Sequence, residues 1–363
     1  MGGQRPNHRL ERRRPGQRSW PLAVAGLHAG ECPQVSDQAD PPPRGRIAVV
    51  TTLLNESASV DALLGSLAEQ TLRPTEVVIV DGGSTDDTWA RVQRWHEHLP
   101  LNLLTRPGSG ISEGRNLAFR ATSAEWVAVT DGGVWLEPGW LESLVQASAD
   151  ADVVGGFFTS DPRSTWELAL GATTLPDVGE VRPAAFLPSS RSLLVRRAAW
   201  ERVGGYPEWL DYCEDLVFDL ALKAAGYRFA FAGGAVAHFR PRPSLRAFAT
   251  QYFRYARGDG KADLWRRRHA IRYATYAALF LLVRKLPGTP WAWLVLGCGA
   301  FVYTRRPYER LRPRLGGLPP ATALQALLLV PVIRAVGDVA KMAGYPVGVW
   351  WRLTREHPRR GTP

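Results

Sequence analysis

The segment that says most about the architecture is Val77-Val78-Ile79-Val80-Asp81-Gly82-Gly83-Ser84-Thr85-Asp86-Asp87. Its first four residues are apolar and mostly β-branched, which predicts a buried strand. An aspartate ends this strand, and ligands of open α/β sheets bind outside the carboxyl ends of strands. The two glycines that follow let a ligand approach the backbone closely. The alternative is an ordinary strand-to-helix connection in which Ser84 or Thr85 caps the helix.

Two further segments have the same design. A predicted strand at residues 46–52 runs into Leu54-Asn55-Glu56-Ser57, and another at residues 125–130 runs into Asp131-Gly132-Gly133. Apolar residues at helical spacing lie between the strands, namely Val60, Leu63, Leu64 and Leu67 in one segment and Leu141, Leu144 and Val145 in another. Alternation of strands and helices predicts an α/β fold with a mostly parallel sheet flanked by helices. The polar groups would then meet at one edge of that sheet.

Six landmarks in this order resemble glycosyltransferase family 2, in particular its membrane-associated, bacterial-type members. They are Leu54-Asn55-Glu56, Asp81 to Asp86, Gly114 to Ala118, Asp131 with Leu136 to Leu141, Gly204 to Glu208, and Glu214-Asp215-Leu216. The resemblance covers roughly residues 46–260. It implies the GT-A nucleotide-diphosphosugar transferase fold for a catalytic domain at residues 46–262, and transfer of the sugar with inversion.

The resemblance also implies roles for individual residues. Donor-binding roles are implied for Leu53, Glu56, Asp81, Gly83, Arg115, Asn116, Asp131 and Arg254. Asp81 would lie near the base of the nucleotide, whereas Arg115 and Asn116 would line the donor pocket. Asp215 would be the catalytic base, because an acceptor hydroxyl needs a positioned base to attack the anomeric carbon.

Glu214 and Asp215 also have a simpler interpretation. Acidic residues are favourable in the first turn of an amphipathic helix because of the helix dipole. The upstream Gly204-Gly205 landmark favours the catalytic interpretation, with Glu214 orienting the site or the acceptor. Asp211 is a weaker rival for the base.

The metal site implied by the resemblance is incomplete. Asp131 matches the first aspartate of the family's Asp-x-Asp motif, which holds a divalent cation, Mg²⁺ or Mn²⁺, on the donor diphosphate, but Gly133 replaces the second. Magnesium often binds only one or two carboxylates beside phosphate oxygens and water, so Asp131 alone remains a candidate ligand. His238 lies where related enzymes sometimes carry a metal-proximal histidine. Its alternative is a partly buried histidine at a strand end.

Residues 251–255 resemble the Gln-x-x-Arg-Trp motif of processive members, with tyrosine in place of tryptophan. Arg254 would bind the diphosphate, because a guanidinium matches phosphate oxygens. The alternative is a basic amphipathic helix that packs on the catalytic domain.

The charge is unevenly distributed along the chain. The formal net charge is +11, and residues 240–363 contain 23 Lys and Arg against 5 Asp and Glu. Such a basic tail indicates an anionic membrane surface or nucleic acid as its partner. The tail also has three long apolar runs, at residues 273–283, 291–303 and 321–333, which a soluble protein would leave exposed. The sequence therefore predicts a membrane-associated helical region at residues 263–363 and no nucleic-acid partner.

The membrane topology remains open. Each apolar run is shorter than the roughly 20 residues of a simple membrane span. Basic clusters flank the first pair of runs, so the positive-inside rule predicts a hairpin with both ends, and the catalytic domain, on the cytoplasmic side. Arg284 and Lys285 at the turn favour a shallow interfacial hairpin instead. A soluble helical subdomain is the third possibility.

Residues 1–45 are rich in Arg, Pro, Gly and Gln, and we expect a disordered basic segment there. We also expect part of this segment to be a misassigned start, because the motif-bearing fold begins near Arg46. The cysteines Cys32, Cys213 and Cys298 form neither a disulfide nor a zinc pattern, which is typical of a reducing cytoplasm.

Two functional classes follow. The first is an inverting glycosyltransferase that moves a sugar from a nucleotide-sugar donor to a lipid-linked or polysaccharide acceptor in cell-envelope biosynthesis. The second is a non-catalytic or regulatory glycosyltransferase-like scaffold at the membrane, which Gly133 favours because it removes a metal ligand. The retention of Asp81, Asp131 and Asp215 favours the enzyme.

Overall fold

The computed structural model describes residues 45–355. Within them the strands are β1 (Ile47–Leu53), β2 (Glu76–Asp81), β3 (Leu101–Thr105), β4 (Trp126–Val129), β5 (Val134–Leu136), β6 (Val153–Ser160), β7 (Leu193–Arg196) and β8 (Phe229–Phe239). The helices are α1 (Val60–Ala68), α2 (Thr88–Gln93), α3 (Ile111–Ala121), α4 (Trp140–Gln146), α5 (Thr165–Thr174), α6 (Arg197–Val203), α7 (Glu214–Ala224), α8 (Leu245–Lys261), α9 (Arg266–Lys285), α10 (Pro290–Leu311) and α11 (Pro320–Thr354). The predicted disordered segment at residues 1–45 lies outside this range, except for its last residue.

The strands form one sheet in the order β3-β2-β1-β4-β7-β6-β8-β5. β1, β2, β3 and β4 are mutually parallel, so the three strands predicted from sequence share one carboxyl edge. The register sets Leu53 opposite Asp81 at that edge. The other half mixes directions, because β7 runs antiparallel to both β4 and β6. The predicted mostly parallel α/β sheet is confirmed, and the half with mixed strand directions is an addition.

Helices cover both faces of the sheet. On one face the four apolar residues of α1, Val60, Leu63, Leu64 and Leu67, are completely buried, as their helical spacing predicts. On the other face Phe119 of α3 stacks on Trp200, with ring centroids 5.0 Å apart. The two apolar layers hold the parallel strands rigidly, and the loops at their carboxyl ends are positioned by that core.

The C-terminal helices pack back onto the catalytic part of the chain. α11 lies along α8 and α5, and its Ile333 is buried against Phe248 and Leu170. A Cβ on Gly344 or Gly348 would overlap the backbone carbonyl oxygens of α8. Glycine therefore permits direct contact between the two helix backbones. The predicted boundary after residue 262 falls in the break between α8 and α9, but the region beyond it shares a core with the domain before it.

α9 and α10 form the predicted helical hairpin, with its turn at residues 286–289. A carboxylate of α11 joins its arms, since Asp338 accepts a hydrogen bond from Tyr303 at 2.6 Å and pairs with Arg272 at 2.8 Å. Many apolar side chains of these helices stay exposed, including Phe280, Trp293 and Leu294. Among residues 45–355, α11 alone has the length and composition of a membrane-crossing helix, and 28% of its most apolar window is buried.

Candidate active site

The loops after β1 and β2 are tied together at the carboxyl edge of the sheet. The Asn55 side-chain oxygen accepts a hydrogen bond from the Thr85 backbone at 2.8 Å. In return, the Glu56 backbone donates to the Thr88 hydroxyl at 2.8 Å. The Ser57 backbone donates to Asp86. The small polar residues after Asp81 therefore fix the loop that carries Glu56.

Asp81 organises its own turn. One carboxylate oxygen accepts hydrogen bonds from the backbones of Gly83 and Ser84, both at 2.8 Å, and the other accepts from the Ser84 hydroxyl at 2.6 Å. Gly83 has a φ of 98°, a conformation that favours glycine. The buried Leu53 accepts a bond from the Gly82 backbone through its carbonyl oxygen. Leu53, Asp81 and Gly83, which the sequence predicts to bind the donor, therefore belong to one hydrogen-bonded turn. That this turn binds a nucleotide stays a prediction.

A buried chain of charges links three elements beside this turn. Arg115 of α3 is 2% exposed and donates to Asp131, after β4, at 2.7 Å. Its other terminal nitrogen donates to Glu214, at the start of α7, at 2.9 Å. Its guanidinium also lies 5.2 Å from the centre of the Tyr206 ring. The structure therefore brings together Arg115, Asp131 and Glu214, which are far apart in sequence.

The charges in this chain determine one another's ionisation. Burial works against the charge of Arg115, but Asp131 and Glu214 outweigh it and raise the pKa of the guanidinium. Burial alone would raise the pKa of Asp131, yet the neighbouring arginines bring it below its ordinary value. Burial, and then the adjacent Asp215, raises the pKa of Glu214 to about 7. Among Arg115, Asp131 and Glu214, it is therefore Glu214 that exchanges a proton near neutral pH.

Glu214 and Asp215 begin α7 but face different surroundings. Glu214 is buried against Arg115, whereas Asp215 is partly exposed and accepts a bond from the Leu216 backbone. Asp219, one turn later, is buried, and burial followed by the charge of Asp215 raises its pKa well above the ordinary range. The predicted rival Asp211 instead pairs with Arg257 and Lys261. Within this group, Asp215 is the carboxylate that is partly exposed and has no ion-pair partner among the described residues.

We expect Glu214→Gln to remove a pH dependence of stability. The pKa of Glu214 is raised from its ordinary value of 4.5 to about 7. Its stabilising contribution is therefore complete below pH about 4.5 and is lost as the pH rises towards about 7. The melting temperature of the wild type relative to Glu214→Gln should fall over that interval and then level off. Glu201→Gln, which removes an exposed carboxylate paired with Arg197, is the control. If the difference in melting temperature between the wild type and Glu214→Gln does not change with pH, the raised pKa does not belong to Glu214.

Asn116 anchors the Gly204–Glu208 landmark. Its amide nitrogen donates to the Tyr206 carbonyl at 2.8 Å and to Glu208 at 2.9 Å. Its oxygen accepts from the Tyr206 backbone and from the Trp200 indole. This network holds Tyr206 beneath Arg115. A donor contact for Asn116 stays a prediction, and its contacts here are structural.

Arg191 is a site residue that the sequence did not indicate. It precedes β7, in a stretch without a recognisable motif, and its guanidinium lies 3.3 Å from the second oxygen of Asp131. It also lies over the rings of Phe158 and Phe239, and it lies close to the Tyr255 side chain. Two arginines therefore hold the two oxygens of Asp131. A half-buried arginine in a loop leaves no periodic signal that could have revealed it.

The Gln251–Tyr255 motif reaches the site through its tyrosine. Gln251 donates to the Tyr255 hydroxyl at 2.9 Å, and Tyr255 contacts Arg191. Arg254 points elsewhere, because it is exposed and donates to the Tyr212 hydroxyl at 2.9 Å. The motif lies on α8, which packs along α11, so the predicted amphipathic helix is present.

The side chains present fit a protein-built metal site poorly. Both oxygens of Asp131 are held by arginines, and the Glu56 carboxylate lies 3.5 Å from where a Cβ on Gly133 would stand. His238 pairs with Glu137 at 2.9 Å and stacks on Trp135, as its strand-end alternative describes. Residues 45–355 contain no group of three or more His, Cys, Asp or Glu side chains arranged to hold a cation. The described side chains therefore favour neutralisation of Asp131 by arginines over a protein-built cation site.

Two family profiles match most of the described chain. Glycosyl transferase family 2 matches residues 48–201, and Glycosyl transferase family group 2 matches residues 180–336. The succinoglycan biosynthesis protein ExoA of Rhizobium meliloti is 28% identical over 72% of this chain and 88% of its own length. The N-acetylglucosaminyl-diphospho-decaprenol L-rhamnosyltransferase of Mycobacterium tuberculosis is 28% identical over 52% of this chain and 74% of its own length.

A solved structure has the same fold. The mannosyltransferase PcManGT from Pyrobaculum calidifontis, in complex with GDP-Man and Mn²⁺, superposes with a TM-score of 0.54 and 22% identity. The match covers 88% of this chain and 91% of that one. With the predicted landmarks present in order and the sheet in place, the predicted GT-A fold is confirmed. The chain belongs to glycosyltransferase family 2.

Proposed function

We propose that this glycosyltransferase transfers a sugar, with inversion, from a nucleotide-diphosphate donor to a hydroxyl of a lipid-linked or polysaccharide acceptor. The observation that carries the proposal is the partly exposed Asp215 next to the buried Glu214–Arg115–Asp131 chain. Two relatives support the acceptor class by name, one a succinoglycan biosynthesis protein and one acting on a diphospho-decaprenol-linked sugar.

The proposed reaction is a single displacement at the anomeric carbon. Asp215 accepts the proton of the acceptor hydroxyl while that oxygen forms a bond to the anomeric carbon. The bond between the anomeric carbon and the diphosphate oxygen breaks on the opposite side, and its electron pair leaves with the diphosphate. Glu214 is hydrogen-bonded to Arg115 and holds the start of α7, so it acts as a positioning residue for Asp215.

Arg115 and Arg191 supply positive charge where the diphosphate would leave. The Arg115 guanidinium is buried, that of Arg191 is half-buried, and both contact Asp131, so water screens their attraction for phosphate less than at an open surface. Arginine also matches phosphate oxygens in a bidentate manner.

Attachment to the cytoplasmic side of a membrane forms part of the proposal. The exposed apolar residues of α9, α10 and α11 and the basic clusters beside them support it. Apolar side chains with flanking arginines are typical of helices that lie in or cross the interface of an anionic membrane.

A donor-binding panel tests the proposal. The purified full chain would be mixed with UDP-, GDP- and dTDP-sugars, with and without Mg²⁺ or Mn²⁺, and melted. We expect one nucleotide class to raise the melting temperature by about 4 °C at a hundred times its Kd, because a ligand that binds only the folded state stabilises it. The corresponding nucleoside without phosphates is the control ligand and should give no shift.

The same samples would be assayed for release of nucleoside diphosphate. Donor binding that needs a metal would restore Asp131 as a ligand, and binding without metal would assign the diphosphate to the arginines. If no donor shifts the melting temperature and none is turned over, the enzyme proposal fails. The non-catalytic scaffold then becomes the better description.

A further inference from the structure

A basic cleft lies beside the loop that precedes Asp215. It has a volume of about 350 Å³ and lies between the loop before α7, the chain after β8 and the start of α8. Its polar lining consists chiefly of Tyr212, Arg242, Ser244, Arg246, Thr250 and Arg254. The cleft therefore combines three guanidiniums with three hydroxyl groups.

The three arginines are not neutralised by the protein. Within residues 45–355, Arg242 and Arg246 have no acidic partner, and Arg254 contacts only the hydroxyl and ring of Tyr212. By contrast, the half-buried Arg197 of the same domain is paired with Glu201. Three unpaired guanidiniums around one cavity form a site for an anion with several oxygens, such as a phosphate or diphosphate. The positive end of the 17-residue helix α8 lies at the same place.

The cleft is joined to the catalytic cluster by aromatic side chains. Tyr212 precedes Asp215 by three residues, and its ring packs edge-on against Tyr255 at 5.9 Å. Tyr255 contacts Arg191, which holds Asp131. A group in the cleft therefore lies beside the loop that carries the proposed base, and Tyr212 and Tyr255 lie between it and Arg191.

The same helix that borders the cleft also borders the exposed apolar region. α8 carries Arg246 and Arg254 and is covered along its length by α11. α11 exposes Leu324, Leu328 and Val332 on one face. A ligand with an anionic group and a long apolar tail would thus find both features on adjoining surfaces.

We propose that this cleft binds the phosphate or diphosphate group of a lipid-linked acceptor, so that the sugar attached to it reaches Asp215. This inference rests on the proposed function, which it deepens by assigning the acceptor class. It also assigns Arg254 to the acceptor, whereas its sequence motif implied the donor diphosphate. The donor diphosphate has Arg115 and Arg191 at the other end of the site.

Farnesyl diphosphate is a suitable probe, because it carries the anionic group and an isoprenoid tail without a particular sugar. Its binding to the full chain in a nonionic detergent would be measured by calorimetry, with farnesol as the uncharged comparison. We expect Arg242→Gln/Arg246→Gln to weaken farnesyl diphosphate binding at least about tenfold, because charge-assisted bonds to phosphate are lost. Farnesol should bind much more weakly than the diphosphate and be insensitive to the change.

The control is Arg73→Gln/Arg94→Gln, which removes two exposed positive charges elsewhere on the domain and should leave binding unchanged. Displacement of farnesyl diphosphate by UDP or GDP would assign the site to the donor and overturn the proposal. Equal competition by phosphatidylglycerol micelles would assign it to membrane headgroups and also overturn it. Unchanged binding of farnesyl diphosphate by Arg242→Gln/Arg246→Gln would also overturn the proposal. Since no turnover is needed, these results stand apart from the outcome of the donor panel.

Discussion

Replacing Asp215 with asparagine is expected to lower the transfer rate by about 10²–10⁴-fold, the usual contribution of a general base. Asparagine has nearly the same shape and keeps an oxygen for the Leu216 backbone bond, but it cannot accept the proton of the acceptor hydroxyl. Donor affinity should stay within about twofold, because the Arg115 and Arg191 contacts at Asp131 are untouched. Initial rates of nucleoside diphosphate release and donor titrations followed by melting temperature measure both quantities.

Asp211→Asn provides a matched control four positions upstream. That carboxylate is paired with Arg257 and Lys261, and its loss should leave turnover close to that of the wild type. Wild-type turnover in Asp215→Asn would show that another group is the base. A large loss in Asp211→Asn alone would transfer the role to Asp211.

The half of the fold that carries the site was predictable because its signals are local. Val77 to Val80 form a buried strand by composition alone, and the α1 leucines mark one helix face by spacing. Parallel strands separated by helices must share a carboxyl edge, which brings Glu56, Asp81 and Asp131 to one side. No single-sequence pattern fixes the antiparallel pairing of β7 with β4, because that pairing depends on contacts between distant segments.

The partners of the site residues were less predictable than their positions. Arg191 lies in a stretch without periodicity, and its contact with Asp131 exists only after β7 pairs with β4. Asn116 belongs to a landmark segment, yet its amide satisfies the backbone of Tyr206. The order of the landmarks predicts which residues lie close together at the carboxyl edge of the sheet. Side-chain packing decides which of these residues face a ligand. The same holds for α11, whose apolar run predicted a membrane contact but whose glycines also fit it against α8.

Arg115→Met is expected to lower the free energy of unfolding by about 3–5 kcal/mol, the usual result of removing one partner of a buried ion pair. Methionine fills much of the same volume, so a cavity contributes little to the loss. The variant leaves Glu214 buried beside Asp215 and leaves Asp131 with Arg191 as its remaining arginine. Urea denaturation of both proteins at pH about 8 measures the difference. Arg120→Met changes an exposed arginine of the same helix, 4.0 Å from Glu208, and should shift stability by less than about 1 kcal/mol.

A double variant distinguishes loss of the charge pair from loss of packing. In Arg115→Met/Glu214→Gln the carboxylate that Arg115 neutralised is also removed, so the double variant should be more stable than Arg115→Met alone at pH about 8. Loss of Arg115 removes a charge that lowers the pKa of Glu214, so in Arg115→Met this pKa lies above its wild-type value. Lowering the pH should therefore narrow the gap in stability between the two variants, because Glu214 becomes protonated and no longer needs a partner. If the double variant is instead less stable by the sum of the single changes, the two groups act independently. The role of Arg115 would then be that of packing against Tyr206, and the charge chain that positions Asp215 would lose its physical basis.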